Sequence, residues 1–191
     1  MLTDIILIIG AYLLGSVSSA IIICRVMGYP DPRTIGSGNP GATNVMRQGG
    51  KTAAVVTLLG DLLKGFIPVM IAKFFGVSLT VQLLVGMAAF LGHLYPVFFA
   101  FKGGKGVATA VGILLGLNLM VALTAIAIWL IMFAIKRISS LSALTTTALS
   151  PLYVWLITHS KEFLVFSIVL AALIFWRHRS NIQNLIAGTE T

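Results

Sequence analysis

The chain has 191 residues, of which 58% are hydrophobic and only 9% charged, and its mean hydropathy is +1.03. A soluble globular domain carries about a quarter of its residues as charges, and disorder needs low hydrophobicity with high charge, so both classes are excluded. The charges are 13 Lys+Arg against 5 Asp+Glu, a net +8; in a chain this apolar the excess reads as cytoplasmic loop charge rather than a nucleic-acid surface.

The single cysteine, Cys24, cannot form an internal disulfide. One Cys and three His (His93, His159, His178) do not suggest a structural zinc, and no metal or other cofactor is expected. The first apolar run, Ile5–Cys24, has no basic region before it and no clear cleavage site, so it reads as a spanning helix rather than a signal peptide. Gly15 and Ser19 within it form a small-x-x-x-small pair suited to helix packing.

The polar segment Arg25–Lys51 follows, dense in Gly and Pro and therefore rich in turns. Inside it, Asn39 to Gly49 reads as a short helix with Asn39 as N-cap, Pro40 at the first helical position and Gly49 at the end. A helix start preceded by Gly36-Ser37-Gly38 offers backbone N–H groups to an anion, and Thr43 and Arg47 share a face. Thr52–Ala72 is the second span; it carries Asp61 and Lys64 at i,i+3, a pair that can neutralise itself. Phe74–Phe101 is the third, with His93 near its cytoplasmic end.

Phe101-Lys102-Gly103-Gly104-Lys105-Gly106-Val107-Ala108-Thr109 is a second anion-binding candidate. Its glycines allow close backbone approach, successive N–H groups can form a nest, and two lysines add charge. It is not a Walker A loop, because Gly106 rather than Ser or Thr follows Lys105. The uncharged stretch Gly106–Ile135 either crosses once or turns back near Gly116-Leu117-Asn118. A single crossing divides the loop Lys/Arg seven inside against five outside; turning back makes it ten against two, Lys73 and Lys161, with Lys64 intramembrane in both cases. The positive-inside rule favours the second arrangement. Its difficulty is length, since two arms of about 13 residues reach only roughly 20 Å each; a re-entrant hairpin would serve equally.

Leu141–Ser160 and Phe163–Trp176 complete the spans. Ser142 begins the former on the cytoplasmic side, as a helix-start residue or a ligand donor. The last polar segment, Arg177–Thr191, places His178 and Asn181 at i,i+3 on one face. The expected fold is all-α: a polytopic membrane helix bundle of seven membrane segments, N-terminus outside and C-terminus cytoplasmic, forming one domain over residues 1–191.

Three polar segments on one face point to phosphate-bearing, lipid-soluble substrates. Carboxylates there are scarce, Asp31 and Glu190 only, which disfavours chemistry that needs Asp to hold Mg²⁺. No Gly-x-Ser-x-Gly elbow occurs. A membrane enzyme and a transporter of a phosphorylated metabolite both fit; a transporter would be expected to show inverted repeats and a midplane site.

The runs Gly36-Ser37-Gly38-Asn39-Pro40-Gly41-Ala42-Thr43-Asn44-Val45-Met46-Arg47, His93-Leu94-Tyr95-Pro96-Val97-Phe98 with Phe101 to Thr109, and His178-Arg179-Ser180-Asn181-Ile182 resemble the three motifs of the bacterial acyl-phosphate:glycerol-3-phosphate acyltransferases. Asp61-Leu62-Leu63-Lys64-Gly65 and Gly188-Thr189-Glu190 resemble further family elements, whereas Asn184 stands where a basic residue is expected. The His-x-x-x-x-Asp of acyl-CoA-type acyltransferases is absent, because Phe98, Leu164 and Gln183 follow the three histidines at that spacing.

The resemblance implies transfer of a fatty acyl group from acyl phosphate to the sn-1 hydroxyl of glycerol 3-phosphate, giving lysophosphatidic acid and phosphate, the first acylation of phospholipid synthesis. It implies a multi-pass protein of the bacterial inner membrane with its active site facing the cytoplasm. Glycerol 3-phosphate, long-chain acyl phosphate and membrane lipid are the partners; the oligomeric state stays open, a monomer among the readings. The implied roles are these: Gly103, Gly104, Lys105 and Gly106, with Lys102 beside them, cradle the acyl-phosphate phosphate. Ser37, Asn39, Thr43, Asn44 and Arg47 bind glycerol 3-phosphate, with Ser37 grouped among the catalytic residues. His178 and Asn181 orient the hydroxyl or a phosphate, and Ser142 is a further substrate contact.

Overall fold

The computed structural model describes residues 1–190. Among them every regular element is a helix, in the order α1 (Leu2–Gly15), α2 (Ser19–Val26), α3 (Ala42–Phe74), α4 (Leu79–Leu94), a 3₁₀ turn (Val97–Phe99), α5 (Val107–Leu117), α6 (Leu119–Lys136), α7 (Ser139–Ala148), α8 (Ser150–Thr158), α9 (Lys161–Arg177) and α10 (Arg179–Ile186). The chain divides into two compact units, Met1–Leu117 and Asn118–Thr191. Three helical stretches are long and apolar enough to cross a membrane, and up to six if each bent pair counts as one span.

In the first unit the expected span Ile5–Cys24 is two helices, α1 and α2, bent by 42° at Ser16–Ser18. The break leaves backbone groups needing partners inside an apolar environment. Ser16 returns both its N–H and its hydroxyl to the Tyr12 carbonyl, and the Lys64 ammonium donates to the Val17 carbonyl at 2.9 Å. Small residues then set the helix spacing. A Cβ on Gly15 would lie 2.1 Å from the Ala89 carbonyl oxygen, and one on Gly92 2.3 Å from that of Tyr12, so α1 and α4 touch backbone to backbone. Ser19 packs instead against Gly60 of α3.

α3 starts at Ala42 with Gly41 as N-cap, so Asn39 and Pro40 lie outside the helix; its first helical stretch ends at Gly49 as expected, and the chain kinks at Gly50 before the long second stretch. Gly50 has φ 76°, a left-handed backbone that glycine adopts without strain. The third span is shorter than the uncharged run, because α4 ends at Leu94 and Pro96 opens a 3₁₀ turn closed by Ala100 and Phe101 at positive φ. α5 lies along the second half of α3: Thr109 faces Gly65, Gly112 faces Leu62, Gly116 faces Val69, and Lys73 donates to the Leu117 carbonyl at 2.9 Å. Its first turn is thus level with the middle of α3, not with its beginning.

The second unit begins at Asn118, whose side chain caps α6 by accepting from the Val121 N–H at 3.1 Å. The stretch Gly106–Ile135 therefore does break beside Asn118, but into unequal arms of 11 and 18 residues rather than two of equal length. The expected span Leu141–Ser160 is also two helices, α7 and α8, bent by 46°. Pro151 cannot donate to Thr147, and the Ser150 hydroxyl takes that carbonyl instead at 2.7 Å. α9 is capped by Ser160, which accepts from the Phe163 N–H, and α10 leaves it at 63° after His178.

Candidate active site

In the first unit the two glycine-rich segments are neighbours. The loop before α3 is closed by a clip in which the Arg33 guanidinium donates to the Asp31 carboxylate at 2.7 Å and, with its other arm, to the Phe99 carbonyl at 3.2 Å. Donation from Arg33 is the main reason that Asp31 stays below the usual carboxylate range, against a smaller opposing effect of partial burial. Buried Asn44 organises the same loop: its amide donates to Pro32 and Ile35 carbonyls at 2.8 and 3.2 Å, and its oxygen accepts from the Ser37 N–H and Gln48. Ser37, Thr43 and Arg47 are exposed around this frame.

The second segment is inserted behind it. Gly103, Gly104 and Gly106 are buried, Lys105 is half-buried and Lys102 exposed. A Cβ on Gly104 would lie 3.2 Å from the Pro40 carbonyl oxygen, which brings the two loops into contact. Gly106 has φ 86°, and a Cβ there would meet the Phe90 ring at 2.2 Å. N–H groups of the segment are already engaged: Phe101 with the Pro96 carbonyl at 3.0 Å, and Lys102 with the Phe99 carbonyl and Gly104 with that of His93, both at 3.2 Å. The nest read from the glycines is therefore partly closed, and the cationic side chains gain weight as anion ligands.

In the second unit His178 is buried at the joint of α9 and α10. Its Nδ1 lies 2.8 Å from the Ile174 carbonyl. A carbonyl only accepts, so Nδ1 carries the hydrogen and the neutral ring has its basic nitrogen at Nε2. Glu190 gathers donors from two elements: the Ser140 hydroxyl at 2.6 Å, the Asn181 amide, and the Asn184 amide at 3.2 Å. Ser142 is buried one turn into α7 with its hydroxyl on the Ile138 carbonyl at 2.9 Å.

The model of the glycerol-3-phosphate acyltransferase family matches residues 5–188. A curated glycerol-3-phosphate acyltransferase of Thioalkalivibrio sulfidiphilus is 58% identical over 96% of this chain and 91% of its own length. Another, of Methylobacillus flagellatus, is 50% identical over 99% and 96%. The chain belongs to the glycerol-3-phosphate acyltransferase family. Among solved structures it is similar to PlsY (YgiH), an integral membrane glycerol 3-phosphate acyltransferase, in its glycerol 3-phosphate form, with a TM-score of 0.94 and 45% identity over 99% of this chain and 94% of that one. The lysophosphatidic acid form of PlsY gives 0.92 and 44%. This acyltransferase is thus an all-helical integral membrane protein.

Within the first unit of this acyltransferase, the structure gathers Ser37, Asn39, Thr43 and Arg47 on one loop and helix start, next to the loop of Lys102 to Gly106. Asn44, also expected to contact glycerol 3-phosphate, is buried beside them with its amide engaged within the loop. The second unit holds His178, Asn181 and Ser142. Sequence reasoning gave no role to Arg33 or Ser140. Arg33 was recognisable only as an acid–base pair two residues apart, and Ser140 by nothing local, because its partner Glu190 is fifty residues away.

Proposed function

We propose that this chain transfers a fatty acyl group from a long-chain acyl phosphate to the sn-1 hydroxyl of glycerol 3-phosphate, releasing phosphate and lysophosphatidic acid. The observation that carries it is the likeness, over nearly the whole chain, to an enzyme solved in forms named for glycerol 3-phosphate and for lysophosphatidic acid. The second is the acylated form of the first, so acceptor and product both fit this fold.

The chemistry asks little of the protein in the way of a nucleophile. The hydroxyl oxygen attacks the acyl carbon, the bond from that carbon to the phosphate oxygen breaks, and phosphate leaves with the electron pair. The hydroxyl proton goes to His178 Nε2 or to a phosphate oxygen. Holding two phosphates close and offsetting their repulsion supplies much of the rate. Lys102, Lys105 and Arg47 are cations on the adjoining segments of the first unit, alongside Arg33 in its clip with Asp31. Gly103 to Gly106 are assigned to the acyl phosphate, Ser37, Asn39, Thr43 and Arg47 to glycerol 3-phosphate, and His178 and Asn181 to the acceptor hydroxyl. Asn44 joins the glycerol 3-phosphate set and Ser142 is a further substrate contact, each also holding the backbone around it.

The proposed arrangement is one catalytic domain of seven membrane segments in the bacterial inner membrane, N-terminus outside and site facing the cytoplasm. Its support is the register of α5. Starting level with mid-α3, an arm of 11 residues still ends beside Lys73, near the end of α3. α6, with 18 residues, is long enough alone.

Purified protein given glycerol 3-phosphate and palmitoyl phosphate is expected to release phosphate and form lysophosphatidic acid. Absence of turnover with acyl phosphate, acyl-CoA and acyl carrier protein alike would reject the enzyme; turnover with acyl-CoA alone would reject the donor. Lys105→Ala is expected to raise the KM for acyl phosphate about tenfold. A rise in the glycerol 3-phosphate KM instead would reassign the loop.

A further inference from the structure

Three charged or ionisable side chains in the first unit have no part in the chemistry above, and all are more than nine-tenths buried: Asp61, Lys64 and His93. Asp61 and Lys64 are 2.8 Å apart on one helix and could cancel each other. Both, however, reach beyond that pair. The Lys64 ammonium donates to Val17 at the break between α1 and α2. The Asp61 carboxylate lies 3.7 Å from Nδ1 of His93 on α4.

The far side of the imidazole meets the glycine loop. His93 Nε2 lies 2.4 Å from where a Cβ on Gly104 would stand. The His93 carbonyl accepts from the Gly104 N–H at 3.2 Å and lies 2.0 Å from where a Cβ on Gly103 would stand. One residue therefore touches two consecutive glycines through its ring and its backbone. Simple filling of space would need neither a carboxylate nor an ammonium, whose burial is costly unless both are paired. The Asp61 carboxylate at 3.7 Å is beyond direct hydrogen-bond distance, but its charge faces the Nδ1 edge and favours the orientation that turns Nδ1 toward it.

We infer that Lys64, Asp61 and His93 form a positioning relay from the α1–α2 break to the glycine loop, with His93 setting the shape in which that loop holds its phosphate. The inference rests on the loop being a phosphate site but not on which of the two phosphates it holds. His93 is a positioning residue, not a catalytic one.

The test is steady-state kinetics with palmitoyl phosphate and glycerol 3-phosphate varied independently. His93→Ala is expected to raise the KM for one substrate about tenfold, leave the other within about threefold, and lower kcat less. His93→Gln, whose amide nitrogen reaches the place of Nε2, is expected to recover most of the loss. Asp61→Asn/Lys64→Gln, which leaves no buried charge unpaired, is expected to raise the same KM. Unchanged constants in that double variant, or His93→Gln no better than His93→Ala, would overturn the relay. If His93→Ala fails to fold, His93→Asn replaces it: its amide mimics Nδ1 only, so equal constants for Asn and Gln would overturn the proposal and a higher KM for Asn would support it. Lys105→Ala measured alongside separates the two ideas. If it moves neither KM, the phosphate reading of the loop fails and the inference falls with it; if it moves a KM while His93→Gln is no better than His93→Asn, the loop keeps its phosphate and the relay alone is overturned.

Discussion

The glycines of the second loop differ in what a methyl group would strike. At Gly103 it meets the His93 and Leu94 carbonyl oxygens at 2.0 and 2.6 Å, backbone of α4 that cannot move aside. At Gly104 it meets the edge of the His93 ring at 2.4 Å, a side chain rather than backbone, and the Pro40 carbonyl oxygen only at 3.2 Å. Displacing a binding loop by about 1 Å costs on the order of a hundredfold in rate. Gly103→Ala is therefore expected to lose about that much in kcat/KM and Gly104→Ala clearly less; the reverse order in an acyltransfer assay would contradict the geometry. The Asp31–Arg33 clip brings a pH dependence. Asp31 is held below its ordinary value of about 4, so its contribution is complete above that pH and fades as pH falls through the lower folded value. Asp31→Asn is thus expected to weaken the loop near neutral pH, read as a higher KM for glycerol 3-phosphate, and to differ little from the parent in acid. The resemblance made Asn184 a gap where a base was expected. In the fold Asn184 still serves Glu190, as a neutral donor rather than an ionic partner.

At the scale of helices, close backbone contact holds the first unit together, as suits an apolar medium where burial of apolar surface favours no one helix pair. Gly112 of α5 marks the closest contact, with a Cβ placed 2.0 Å from the Leu62 carbonyl oxygen, whereas Gly10 of α1 has nothing within 4 Å. Gly112→Ala is expected to destabilise by about 1–3 kcal/mol through overpacking, and Gly10→Ala to be neutral or stabilise by up to about 1 kcal/mol through backbone entropy. Thermal unfolding in detergent would check both, and a harmless Gly112→Ala would refute the contact. Hydropathy marked where apolar runs lie but not where helices stop. Ser16–Ser18 and Ser150–Pro151 sit in runs that look continuous, and the breaks persist because distant or neighbouring groups, Lys64 among them, satisfy the freed carbonyls.

For the whole molecule, the charge count argued for a turn near Asn118, and the helices do part there, as 11 and 18 residues. Asn118→Cys in a Cys24→Ser background is expected to react with a membrane-impermeant thiol reagent added from outside; labelling from the cytoplasmic side alone would reverse the proposed topology. Class, family and the three motifs were all legible from residue order, because hydropathy, charge bias and motif spacing are carried by the chain itself. The pairing of Asp61 with Lys64 was legible for the same reason, being one helical turn. That His93 leans on both this pair and the glycine loop, that Glu190 gathers Ser140 and Asn181, and that α5 starts level with the middle of α3 were decided only in the tertiary structure. Each depends on which helices lie side by side, and that is set by where small residues let backbones meet and where buried polar groups find partners.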